Sequence, residues 1–178
     1  TLTIEAGSVI KGISVASGER AASLIIEPGA KIIAEGTVDK PIVFTSDKEP
    51  GKRVTGDWGG LIICGNARVN RTNQPTIEGG PGTHYGNTTS DEFNGESSGK
   101  LKYVRIEFAG YPLEPDKEIN GLTFGGVGSG TEVEFVQVSY SNDDSYEWFG
   151  GTVNAKHLIA YKGWDDDFDT DYGYTGKL

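Results

Sequence analysis

Five carboxylates fall within seven residues in the phrase "GWDDDFDTDYG" (163–173): Asp165, Asp166, Asp167, Asp169 and Asp171. A related phrase, "SNDDSYEWFGG" (141–151), stands 22 residues earlier. At that offset Asp143 meets Asp165, Asp144 meets Asp166, Tyr146 meets Phe168, Glu147 meets Asp169 and Gly151 meets Gly173. If the phrases stack on adjacent strands, like charges face one another and repel. Solvent, a base, a proton or a bound cation has to offset that repulsion. The local bases are Lys156, His157 and Lys162.

Calcium suits such a site, because it takes oxygen ligands in irregular geometry. The candidate ligands are Asp143, Asp144, Glu147, Asp165, Asp166, Asp167, Asp169 and Asp171. Zinc or copper would need clustered His and Cys. This chain has two scattered His and one Cys, Cys64, which reads as a small buried hydrophobe. A solvated ladder of acidic turns is the plainer alternative to a cation site.

Paired carboxylates can also hydrolyse a glycosidic bond, one as acid and one as base. Asp143, Asp144, Asp165 and Asp166 are the candidates for that role. A lyase would add calcium and a Lys or Arg base, and no motif marks Lys156 or Lys162 for it. Tyr146, Trp148 and Trp164 are candidates for stacking on sugar rings, against the alternative of ordinary burial. Alternation puts Tyr146 and Trp148 on one side of their strand and Glu147 and Phe149 on the other, so one pair is core.

The elements that carry these residues read as strands. Short β-branched or aromatic runs recur between Gly, Asn, Asp and Pro, as in "SLIIEPGAKIIAEG", "GLIICGN", "KYVRIEFAG" and "EFVQVSY". "TLTIEAG" at Thr1 returns as "SLIIEPG" at Ser23 and more loosely as "GLIICGN" at Gly60. Val104, Val136 and Leu158 hold equivalent places in successive strands, with gaps of 32 and then 22 residues. A repeat near 22 residues, built of three short strands and three turns, predicts an all-β chain coiled as a β-solenoid. A β-sandwich explains the strands but not the fixed echo. The solenoid predicts stacked core pairs Val136–Leu158 and Leu2–Leu24. It also predicts Val104, Ile106 and Phe108 pointing inward, with Arg105 and Glu107 outward.

The whole of 1–178 reads as one domain, with "YPLEPDKEIN" as a short insertion and 71–99 as a long inserted loop. That loop is polar and predicts few apolar contacts. The chain opens on a strand and closes without capping composition, which reads as a piece of something longer. A net charge of −10 argues against nucleic acid as a partner. No apolar run approaches the length of a membrane helix, so direct membrane insertion is not expected.

The phrases "SLIIEPGAKIIAEGTVDKPIVFTS", "GDWGGLIICG", "LKYVRIEFAG" and "INGLTFGGVGSGTEVEFVQVSYSNDDSYEWFGG" resemble secreted right-handed parallel β-helix surface proteins and lipoproteins of Bacteroidetes. "NAKHLIAYKGWDDDFDTDYGY" extends the likeness to nearly the whole chain outside 71–99. The resemblance implies a pectate-lyase-like superfold and an extracellular or outer cell-surface location, and it implies no reaction. "Asn142-Asp143-Asp144" followed by "Asp165-Asp166" is also similar to polygalacturonase phrases, but the Ser-His-Gly and Arg-Ile-Lys phrases of those enzymes are absent. Two functions follow as expectations. One is a scaffold or carbohydrate-adhesion module, calcium-stabilised, whose partner is a glycan or other cell-surface component. The other is a polysaccharide hydrolase or lyase using the carboxylates of one coil face.

Overall fold

In the computed structural model, which describes residues 1–14, 21–78, 82–114 and 117–178, the chain winds into a right-handed parallel β-helix. The strands are β1 (Leu2–Ile4), β2 (Val9–Gly12), β3 (Ser23–Ile26), β4 (Ile32–Glu35), β5 (Ile42–Ser46), β6 (Gly60–Cys64) and β7 (Gly99–Glu107). They continue with β8 (Pro112–Glu114), β9 (Lys117–Glu118), β10 (Leu122–Gly125), β11 (Glu132–Ser139), β12 (Tyr146–Phe149), β13 (Asn154–Tyr161) and β14 (Phe168–Asp171). One sheet stacks β1, β4, β7, β11 and β13, with β2 and β5 alongside; the other stacks β3, β6, β10, β12 and β14. The hairpin β8–β9 is the one antiparallel pair of strands among the described residues.

The first sheet has two faces. The front half of β7 pairs with β4 and its rear half with β5, so each long strand does the work of two short ones. The bend falls at Tyr103, Phe135 and His157, whose φ angles of 49°, 54° and 57° lie in the left-handed region. That backbone costs a non-glycine residue roughly 1–2 kcal/mol. Stacking offsets it: the rings of Tyr103 and Phe135 lie 4.7 Å apart, and those of Phe135 and His157 4.4 Å apart. A second series, Phe108, Tyr140 and Lys162, closes the same strands with φ of 61°, 58° and 56°.

Inside the coil, Ile32, Ile42, Phe44, Leu61, Ile63, Leu101, Val104, Ile106, Phe124, Val136, Tyr146 and Trp148 form one continuous core. Burying each large apolar side chain contributes about 1.5–3 kcal/mol, and no single coil could shield its own interior.

The expected register holds where coils are bare. Val136 lies between Val104 and Leu158, and "SLII" at Ser23 stacks on "GLII" at Gly60. Offset 22 runs unbroken from β11 to β13, so Ser139 meets Tyr161. Other steps are lengthened by insertions, which hides the period over most of the chain. Leu2 and Leu24 are not stacked. Leu2 faces Ile32 in one sheet, Leu24 faces Leu61 in the other, and Leu2 is exposed. The echo of "TLTIEAG" in "SLIIEPG" marks two corners of one coil, each a strand followed by a glycine of positive φ, Gly7 and Gly29. Alternation also fails at the end of β7: Glu107 is buried and Phe108 is half-exposed at its left-handed corner.

The 71–99 segment corrects the sequence reading most. Its last residue, Gly99, already opens β7, and Ile77 and Tyr85 are buried against Ile62, Cys64, Val69, Ile119 and Phe149. Ile62, Cys64 and Phe149 make one part of the second sheet's outer face apolar, and that part needs this cover. Gly125 permits the close approach, since a Cβ there would stand 2.8 Å from the Tyr85 ring. Residues 79–81 of this segment, and 115–116 of the shorter insertion, lie outside the described residues.

Candidate metal centre

Two turns, one above the other, build the acidic corner. The first links β11 to β12 and the second links β13 to β14. Backbone bonds fix their register: the Ser145 amide donates to the Asp166 carbonyl (2.9 Å), and the Trp164 amide to the Ser141 carbonyl (3.1 Å). Within the first turn the Ser141 hydroxyl donates to the Asp144 carbonyl (2.9 Å). The Asp166 amide donates to Asp144 Oδ1 at 2.9 Å. β12 then turns Glu147 outward over Asp169, while Tyr146 and Trp148 turn inward.

Five of the eight expected ligands converge. Asp143, Asp144 and Asp165 form one triad of carboxylates, and Asp144, Glu147 and Asp169 form another. Within each triad one oxygen per residue lies within 4.8 Å of the others, and Asp144 belongs to both. Asp166, Asp167 and Asp171 belong to neither; their side chains are exposed on the outside of the last coil. Asp166 contributes its backbone instead. Alternation along the strand and turn explains the split, because neighbouring side chains cannot all face one point.

Two of these acids are buried where water cannot screen them, Asp144 and Glu147, each 8% exposed. Burial pushes the Asp144 carboxyl up to about 7; Asp143, Asp169 and Asp165 add repulsion, and the Asp166 amide opposes them. Burial, and then repulsion from Asp144, Asp169, Glu78 and Asp143, pushes Glu147 up to about 9. Both shifts favour the protonated, uncharged carboxyl at these two residues. Lys156 is turned away and pairs with Glu134 at 3.2 Å.

Asn120 and Glu78 escaped the sequence reading. Asn120 is 3% exposed; its Nδ2 donates to Glu147 Oε2, and its Oδ1 is buried with no hydrogen-bond partner. An orphaned amide oxygen beside carboxylates is a ligand atom of the type calcium takes. The signal was present: Leu122 pairs with Tyr146, so Asn120 occupies, one coil earlier, the place of Asp144. Glu78 arrives from the 71–99 segment, and nothing periodic announces it.

The aromatics divide. Tyr146 and Trp148 are fully buried and stacked along the core, 5.8 Å apart, so neither offers a face to a sugar ring. The Tyr146 hydroxyl lies 2.8 Å from the Val136 carbonyl, which explains a tyrosine at an interior position. Trp164 is 80% exposed and remains available. Cys64 is buried, and desolvation pushes its thiol up to about 12, as an inert hydrophobe requires.

Comparison with known proteins gives the fold a family. No curated protein and no solved structure matches the chain. Residues 1–178 match the family model described as a pectate-lyase-like β-helix domain, and the chain belongs to that family.

Proposed function

We propose that this pectate-lyase-like β-helix domain is an extracellular, cell-surface solenoid, a scaffold or carbohydrate-adhesion module whose acidic corner holds a calcium ion. The observation that carries the cation is the pair of carboxylate triads sharing Asp144, with the unpartnered Oδ1 of Asn120 on the amide that donates to Glu147. Asp143, Asp144, Asp165, Glu147 and Asp169 supply the charge, and Asn120 supplies a neutral oxygen. Hydrolysis asks for something else: two carboxyls about 5 to 9.5 Å apart across an open cleft. Oxygens within 4.8 Å of one another, two of their residues buried, suit a shared ion better. The surface role rests on the acidic, rigid coil and on the resemblance noted above. No helix among the described residues is long and apolar enough to cross a membrane.

Calorimetry on chelator-stripped protein tests the proposal. Calcium should bind with protons released near neutral pH, since Asp144 and Glu147 hold protons that the ion must displace. Two buffers of different ionisation enthalpy read that release. Absence of binding at millimolar calcium would leave a protonated acid ladder and no metal centre.

A further inference from the structure

The rear half of the first sheet carries a cleft of about 760 Å³. Its floor is the outward side of β7, β11 and β13, and one wall is the segment between β5 and β6. The charged side chains lining it are Arg53, Arg105 and Glu107. Lys162 adds a cation at the rim, its Nζ 5.6 Å from the Tyr140 ring centre and 5.4 Å from that of Tyr161. A chain of net charge −10 thus gathers three cations around one carboxylate.

Both guanidinium groups are held. Arg53 donates through Nε to the Lys48 carbonyl (2.9 Å) and through Nη1 to Thr45 Oγ1 (3.3 Å). Arg105 pairs through Nη2 with Glu107, which also accepts from the Thr45 hydroxyl at 3.1 Å. Each guanidinium has five N–H donors, so both keep donors for a ligand. Gln137 Nε2 donates to Ser139 Oγ (2.8 Å), and both residues line the cleft. Tyr161 stands at 85° to Tyr140 and is half-exposed, an apolar surface beside the polar groups.

We infer that this cleft binds a sugar chain bearing oxyanions, carboxylate or sulfate. Fixed guanidiniums recognise the oxyanion, the amide and hydroxyl take sugar hydroxyls, and the ring covers the apolar sugar face. A peptide fits less well. β7 and β11 are paired on both sides, so an extended backbone could join only the outer edge of β13, two strands away from Arg105. The inference rests on the adhesion reading and supplies its site, and it is independent of the calcium reading.

Binding should be measured with heparin, polygalacturonate and neutral dextran, each in calcium and in chelator. At least one polyanion should bind in both conditions and dextran should not. Arg53→Gln should weaken binding by about tenfold or more, the loss of one charge-assisted contact. Arg105→Lys keeps a partner for Glu107 but loses the planar fork, and should also weaken binding with an unchanged melting temperature. The double change Lys31→Gln and Lys40→Gln removes charge elsewhere and should leave binding intact. No binding by any glycan overturns both the inference and the adhesion reading. Binding of dextran, loss of binding in chelator alone, or binding insensitive to Arg53 and Arg105 overturns the cleft alone.

Discussion

Asp144 accepts a hydrogen bond at 2.9 Å from the backbone amide of Asp166, the residue 22 positions later and one coil further along. The doubled acidic phrase therefore has a structural use before any ion arrives. The first turn offers a buried carboxylate to the second, and the second returns its carbonyl to the Ser145 amide. The remaining charge is what the protons, or calcium, must answer.

That charge gives the cation-free protein a pH dependence of definite sign. Unfolded Asp and Glu titrate near ~4; folded Asp144 titrates at about 7 and Glu147 at about 9. Between those limits the native state binds more protons than the unfolded state, so stability falls as pH rises. Urea midpoints in chelator should drop from pH 5 to pH 8.5. Glu147→Gln should flatten the upper part of that decline, and a midpoint that rises over the same range would contradict the burial of these acids.

The 71–99 segment should behave as part of the fold. Tyr85 is 1% exposed and fills the space left by Gly125. Tyr85→Ala should cost roughly 3–5 kcal/mol in urea unfolding, as for other large buried aromatics. A loss within ~0.5 kcal/mol, the range of a surface change, would return the segment to the role of a loose loop.

The ring ladder separates backbone strain from stacking. Phe135→Asn keeps a residue that tolerates positive φ and removes two stacks, at a cost of about 1–3 kcal/mol. Phe135→Ala loses the same stacks and retains the full left-handed penalty, so it should be less stable than the Asn variant by about 1 kcal/mol. The same measurement in urea checks both, and equal stabilities would mean that the φ of 54° at Phe135 carries no strain.

The coil was legible where the chain repeats without interruption. β11 to β14 follow the 22-residue echo residue by residue, and the acidic pairing followed from it. The front of the chain was harder, because every corner uses the same strand-then-glycine phrase and likeness alone cannot say whether two copies stack or share a coil. The outer cover was missed for a different reason. β6 is buried at all five positions, Gly60 to Cys64, and that two-sided burial needed a partner which only the polar-looking segment around Ile77 and Tyr85 could supply. Asn120 stands 24 residues before Asp144 rather than 22, and it closes the phrase that reads as an insertion, so the echo does not point to it.

The central claim is that Asp143, Asp144, Asp165, Glu147 and Asp169 share one cation across two coils. Thermal melts at pH 7.5, in chelator and in calcium, test it most directly. An ion bound only by the folded state adds about 2.7 kcal/mol at a hundred times its dissociation constant. In a chain of this size that raises the midpoint by roughly 5–11 °C. Asp144→Asn keeps an oxygen for the Asp166 amide, so it should fold but lose most of the calcium-dependent rise. Identical midpoints for the unaltered protein in the two conditions would contradict the account, and the doubled phrase would then be an acid ladder neutralised by protons and water.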